Sequence, residues 1–381
     1  MGEVYSPTVT ALDEQMMRRA IMLARQGAGW TNPNPLVGAV VVKDGRVIGE
    51  GYHERYGDLH AERNALAACT DDPSGATLYV TLEPCCHTGK QPPCIEAVIA
   101  AGIARVVVGS RDPNPLVSGN GNAALREAGI EVVEDVLRDR CDALNPVFFR
   151  FMTTGKPYVV AKWAMTIDGK IATHTGDGRW VSCEASRADV HRLRHRLSAI
   201  MVGINTVLAD DPMLTARCGF PANQPLRVVV DGKLRIPRES QLVKTAGEVP
   251  VLVATALPQY VERVAELREC GIEVVSIPDE NGRVDLEELV RLLGSRGIDS
   301  LLVEGGGTLH AAMFQANLVD RTIVYMAPKV CGGAHAVTPV SGAGVDLMAD
   351  ALELGSPMVE RIEDDLKITY LRKGAIAEGG L

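Results

Sequence analysis

Three of the nine cysteines in this chain crowd between residues 85 and 94, in the run T-L-E-P-C-C-H-T-G-K-Q-P-P-C at residues 81–94. H-A-E precedes it at residues 60–62. No other feature limits the fold so tightly, because these groups must converge if they are to act together. Zinc favours imidazole nitrogen and thiolate sulfur, and a catalytic site keeps a fourth position for water. His60, Cys85 and Cys94 can supply three ligands. Water in the fourth position has its pKa lowered toward about 7. Glu62 is then placed to take the water's proton and return it to a ring nitrogen and a leaving amine. A closed structural site built from Cys85, Cys86, His87 and Cys94 is the alternative, and it gives Glu62 no role.

The surrounding pattern predicts alternating strands and helices. HAERNALAAC reads as a helix, ATLYVTL as a buried strand, CIEAVIAAG as a helix and RVVVGS as a strand. ALREAGI and EVVEDV repeat the rhythm. Cys85 and Cys94 are each expected near a helix start, where the dipole favours a thiolate. Upstream, Thr10 is placed to cap a first helix with Asp13 three residues on, and Gly27 to end it. Two β-rich runs flank Asp44-Gly45, a hairpin signal. Pro146 and Gly155-Lys156-Pro157 interrupt the rhythm around NPVFFRFMTTGKP. A second α/β pattern then begins, with PYVVAKWAM, LRVVVDG, VPVLVAT, IEVVSIP, SLLVEGGG and RTIVYMAP as strands and SRADVHRLRHRL as a helix. Two domains are expected, 1–152 and 153–381.

With 4% aromatics, the cores must come from Val, Leu, Ile and Ala. A net charge of −9 argues against a protein that grips a nucleic-acid backbone, while leaving room for one small phosphorylated ligand. No apolar run reaches the roughly 20 residues a membrane span needs. Cysteines without a small-domain disulfide framework point to a reducing, cytoplasmic setting.

The zinc set matches the donors of nucleobase deaminases, although eight residues separate Cys85 from Cys94 where two are usual. The full E-P-C-x-H-x-G-x-x-P-P-C pattern resembles the pyrimidine deaminase of riboflavin biosynthesis. So do T-N-P-N-P-L-V-G-A-V-V-V and R-D-P-N-P at residues 111–115. That family acts on a diamino-pyrimidinone carrying a phosphoribosylamino group. By motif position, the resemblance puts Asn34 against the pyrimidine. It puts His53, His87, Lys90, Asp112 and Asn114 around the rest of the substrate. A tRNA-type deaminase would use the same zinc chemistry, but it needs a basic groove and base-stacking aromatics.

In the second half no G-x-G-x-x-G opens a Rossmann unit. A strand runs instead into Gly305-Gly306-Gly307, with a helix expected from about Thr308, a junction that can offer backbone N–H groups to an anion. With AKWAMTIDGKIATHTGDGRWVS and LADDPMLTAR, this junction resembles the reductase of the same pathway. The likeness covers nearly the whole chain and is to the bifunctional deaminase–reductase. It implies a cytidine-deaminase-like zinc domain followed by a dihydrofolate-reductase-like domain that uses NADPH to open the ribosyl group to ribityl.

The matching positions imply that Ala164, Trp180, Thr206, Asp210 and Gly232 hold NADPH. So do Gly306, Gly307, Thr308, Leu309, His310, Ala311 and Ala312. The reductase substrate is expected at Gly178, Arg194, Leu214, Arg217 and Glu304, with the two arginines as a phosphate fork. Lys162 and Glu304 could assist proton movement. Gly178 departs from the small hydroxyl residue of the family. The implied partners are the small phosphorylated pyrimidine and, in a homo-oligomer, further copies of the chain, with neither nucleic acid nor membrane. A nucleotide-sensing module without turnover is the competing reading of this half.

Overall fold

The computed structural model describes residues 9–87, 91–114, 118–259 and 261–373. Contacts divide the chain after Thr154 into two compact units.

In the first unit the strands are β1 (Gly38–Lys43), β2 (Arg46–Tyr52), β3 (Thr77–Leu82), β4 (Arg105–Ser110) and β5 (Glu131–Val133). They form one sheet in the order β2-β1-β3-β4-β5. β1 runs antiparallel to both β2 and β3, and β3, β4 and β5 run parallel. Asp44 and Gly45 both take positive φ, as a tight hairpin requires. Side chains alternate across the sheet. Val41, Leu78, Val80 and Val106 pack against Ala61, Ala65, Val98 and Leu125 on one face. Val40, Val42, Tyr79 and Val107 pack against Met17, Ala20 and Ile21 on the other.

The first helix, Ala11–Ala24, begins with the expected capping box: Thr10 accepts from the Asp13 N–H, and Asp13 accepts from the Thr10 N–H. It ends at Ala24, and one tighter turn carries the chain to Gly27. Pro146 corrects the sequence reading. It opens a helix, Pro146–Thr154, because a first helical position has no N–H to lose and suits the fixed φ of proline.

The register decides where a site can form. Gly38 lies opposite Tyr52, Ala39 opposite Val80, and Leu82 opposite Ser110. The start of β1 and the ends of β2, β3 and β4 therefore share one edge. The segments around Asn34, His53, Cys85 and Asp112 all emerge there.

The second unit holds β6 (Tyr158–Thr166), β7 (Ala199–Gly203), β8 (Leu226–Val230), β9 (Val251–Thr255) and β10 (Glu273–Ser276). It continues with β11 (Ser300–Val303), β12 (Arg321–Ala327), β13 (Met358–Ile362) and β14 (Asp365–Leu371). The sheet order is β10-β9-β8-β7-β11-β6-β12-β14-β13. The first seven strands in that order run parallel, and the terminal hairpin of β13 and β14 is antiparallel. Val159, Met201, Val228 and Val303 pack under Leu289, Leu293, Leu309 and Met313. Among the described residues, no helix is long and apolar enough to cross a membrane.

Candidate functional site

His60 stands immediately before the helix Ala61–Ala67, and Glu62 lies in its first turn. That helix seats close to β2 because Gly51 lacks a side chain: a Cβ there would lie 2.4 Å from the Ala65 backbone nitrogen. Cys94 is the first residue of the helix Cys94–Ala100. Cys85 sits in the loop after β3 and on no helix, which corrects the expectation for it. The helix start still serves it, because the Cys94 N–H donates to Cys85 Sγ at 3.3 Å.

His60 Nδ1 lies 3.5 Å from Cys85 Sγ and 3.3 Å from Cys94 Sγ. The three donor atoms fall within 4.8 Å of one another. One imidazole nitrogen and two sulfurs at this spacing fit zinc. The Cys94 thiol and the neighbouring His60 hold the Cys85 thiol well below its usual range, and Cys94 is pushed up against that sulfur. His60 is raised, chiefly by its hydrogen bond with Cys85. Glu62 is 3% exposed, and burial, reinforced by the Cys85 charge, pushes its carboxyl up to about 7.

A cavity of about 150 Å³ opens on this group. It gathers Asn34, His53, His60, Glu62, Cys85, His87, Asp112 and Asn114 from separate parts of the sequence. Lys90 lies outside the described residues. His53 Nδ1 donates to the Leu59 carbonyl at 3.0 Å, which leaves Nε2 to accept from the Asn34 amide at 3.1 Å. Burial lowers the His53 pKa, in keeping with a neutral ring. Burial raises Asp112 to about 6, and its Oδ1 accepts from the Asn114 N–H.

Five lining residues received no role from the sequence: Pro35, Val37, Leu82, Glu83 and Phe148. Glu83 is buried, and its carboxylate accepts from the backbone N–H groups of Asp112, Gly119 and Asn122. It thereby ties the cysteine loop to the segment after β4. Phe148 closes the cavity from the helix Pro146–Thr154. Its signal was present: three of the five phenylalanines occupy residues 148–151.

In the second unit, β11 delivers Glu304 opposite Lys162 of β6. Lys162 Nζ donates to Glu304 Oε2 at 3.1 Å, and Arg194 grips both carboxylate oxygens at 2.7 and 2.8 Å. The third Arg194 nitrogen donates to the Thr215 carbonyl at 3.1 Å. Three of the five Arg194 N–H donors are thus taken by Glu304 and Thr215. Arg217 reaches the Thr215 hydroxyl, and His191 Nδ1 lies 3.2 Å from the Thr215 carbonyl. Burial and the two arginines push His191 down to about 4. Leu214 is buried, at 2% exposed, and its backbone takes a positive φ of 55°.

The glycine junction differs from an open anion cradle. The helix begins at Gly307, and a Cβ there would lie 2.7 Å from the Thr338 carbonyl, so the 338–341 segment covers that side. His310 is buried with its ring nitrogens on the Pro339 and Val303 carbonyls, and Leu309 and Ala311 are buried too. Gly306 takes φ 68°, and a Cβ on it would stand 3.4 Å from Thr206 Oγ1. This small cradle fits a phosphate-bearing cofactor on its Thr206 side. Asp210 is tied through its carbonyl to Arg179. Gly232 follows β8, with its carbonyl held by Thr255, and Ala164 lies on β6 opposite Tyr325. Trp180 is 62% exposed, which excludes a core role, and Arg187 lies over its ring. Gly178 and Trp180 line a second cavity of about 210 Å³ with Lys170 and Lys329. A Cβ at Gly178 would meet the Ile171 carbonyl at 2.9 Å.

Comparison with known proteins matches residues 10–110 to the cytidine and deoxycytidylate deaminase zinc-binding region, and residues 157–367 to the RibD C-terminal domain. The riboflavin biosynthesis protein RibD of Actinobacillus pleuropneumoniae is 50% identical over 364 residues, covering 96% of each chain. Its Escherichia coli counterpart is 40% identical, covering 93% of this chain and 98% of that protein. Among solved structures, Acinetobacter baumannii RibD superposes with a TM-score of 0.85 at 37% identity, covering 94% of this chain and 98% of that one. A Thermotoga maritima diaminohydroxyphosphoribosylaminopyrimidine deaminase/5-amino-6-(5-phosphoribosylamino)uracil reductase gives 0.83 at 37%, covering 95% and 99%.

Proposed function

Because the chain belongs to the bifunctional deaminase–reductase family of riboflavin biosynthesis, we propose a division of labour between its two units. The first removes an amino group from the phosphoribosylamino-bearing pyrimidinone. The second reduces the ribosyl group of the product to ribityl. The observation that carries this reading is the convergence of His60, Cys85 and Cys94 beside a buried Glu62.

His60, Cys85 and Cys94 would hold zinc, whose Lewis acidity makes water a nucleophile near neutral pH. Glu62 would carry one proton of that water to the ring nitrogen and the second to the departing amine, which leaves as ammonia. Its raised pKa suits a group that must both take and give a proton. The neutral His53 fixes the Asn34 amide, which presents hydrogen-bonding groups to the pyrimidine edge. Asp112, Asn114 and His87 supply further polar contacts on the same cavity.

In the second unit, NADPH would supply the hydride when bound. Thr206, Gly306 and the start of the helix at Gly307 would hold the cofactor, with Ala164, Trp180, Asp210 and Gly232 around it. Lys162, anchored by Glu304, is the group placed to handle a proton at the opening sugar. Arg217 meets the substrate phosphate, with Arg194 holding Glu304 beside it. The acidic balance and sparse aromatics support small-molecule substrates over nucleic acid and fit a cytoplasmic enzyme. The exposure of Val345, Leu347 and Met348 supports a homo-oligomer.

The test uses purified protein with the phosphoribosylamino substrate, following ammonia release and NADPH oxidation. Glu62→Ala should lower ammonia release at least about 100-fold. It should leave reduction of pre-deaminated substrate intact. Joint loss of both steps would overturn the division of labour.

A further inference from the structure

The zinc-region match ends at residue 110 and the reductase match begins at 157. One wall of the deaminase cavity comes from between them. Phe148, in the first turn of the helix Pro146–Thr154, is the one phenylalanine, tyrosine or tryptophan among the described lining residues, and it is 9% exposed. Pro35, Val37 and Leu82 are its apolar companions. A planar pyrimidinone needs polar groups at its edge and apolar surface on its faces. The polar edge is already present in Asn34, Asp112 and Asn114. Phe148 supplies an aromatic surface in a chain with few aromatics.

A second observation shows that this helix is held in place deliberately. The Asn145 carbonyl accepts the first helical bond, from the Phe149 N–H. An asparagine there would ordinarily turn its side chain onto the helix's own N–H groups. Asn145 instead reaches across to the Leu36 backbone, accepting from its N–H at 2.7 Å and donating to its carbonyl at 2.9 Å. Asn145 is 4% exposed, so water does not compete for this pair. Leu36 is two residues from Asn34. One side chain therefore fixes the separation between the loop that carries Asn34 and the helix that carries Phe148.

We propose that Phe148 is a specificity-determining residue whose ring packs on the pyrimidinone face, and that Asn145 is a positioning residue that sets the width of the slot. This rests on the deaminase reading above. It adds a substrate contact from a segment outside the generic zinc region.

The experiment measures ammonia-release kinetics, zinc content and reduction of pre-deaminated substrate on each full-length variant. Phe148→Leu keeps apolar bulk and loses the ring; KM should rise about 10-fold with kcat changed less than about 3-fold. Phe148→Tyr should restore KM to near the parent value. Asn145→Asp keeps the acceptor for the Leu36 N–H and loses the donor, so KM should rise with zinc retained. Asn145→Ala should raise it further. An unchanged KM in zinc-loaded Phe148→Leu overturns the proposal. Loss of zinc in both Phe148→Leu and Phe148→Met also overturns it, because the ring would then be supporting the metal loop. If the parent protein itself releases no ammonia, the deaminase reading fails, and the Phe148 assignment fails with it for that separate reason.

Discussion

Replacing Glu304 by glutamine tests the electrostatic centre of the second unit. The carboxylate side chain is 6% exposed, and Lys162 and Arg194 beside it are each 12% exposed. Burial alone would raise its pKa, but the guanidinium of Arg194 and the ammonium of Lys162 outweigh burial and hold it well below the usual carboxylate range. Glu304→Gln keeps the shape and removes the charge, leaving two cations facing each other. Removing one partner of a buried ion pair costs about 3–5 kcal/mol. Arg194 keeps its bond to the Thr215 carbonyl and both cations retain some solvent contact, so the lower end, about 3 kcal/mol, applies. In a unit of this size that corresponds to a fall in Tm of about 6 °C.

The pH dependence has a definite sign. The folded pKa is depressed, so the stabilisation is complete above the unfolded glutamate value of about 4.3 and is lost as pH falls from there toward the folded value. The parent should therefore lose stability on acidification below that point more steeply than Glu304→Gln does. Thermal melts from pH 7 to pH 3, followed by the second unit's tryptophans, read both effects. A Tm within about 2 °C of the parent at pH 7 would refute the reasoning, and so would parallel acid limbs for the two proteins.

Two further outcomes follow from the first unit. Stripping zinc with a chelator should abolish ammonia release while NADPH oxidation with pre-deaminated substrate continues; a bound ion at 100 times its Kd stabilises by about 2.7 kcal/mol, so the melt of this unit should fall. Gly51→Ala would force a Cβ to within 2.4 Å of the Ala65 nitrogen. It should cost about 1–3 kcal/mol and weaken zinc binding in a competition titration by displacing the His60 helix, whereas unchanged zinc affinity would show that the helix seats without that close approach.

What the sequence made legible was whatever local chemistry dictates. Thr10 with Asp13, Asp44 with Gly45, and the apolar runs of β3, β4 and β11 each carry their structure within a few residues, so their elements could be read directly. The zinc donors were legible because metal chemistry narrows the choice to few residue types at recognisable spacings. The cavity wall was not legible, since its position depends on pairings across long separations. Nothing near Asn145 announces that its amide will bind Leu36, 109 residues away. Nothing in E-P-C says that Glu83 will accept from three amides in the segment after β4. Arg194 shows the same limit from the other side: two arginines suggested a phosphate fork, but buried Glu304 takes two N–H donors of one of them. An unpaired carboxylate at that depth would be costly, and satisfying it takes precedence over leaving the guanidinium free. Side chains that hold backbone in place leave no local pattern, so the supporting shell of a site is harder to read than its ligands. Asn145 belongs to that shell, and its substitution, beside that of Phe148, separates substrate fit from metal chemistry.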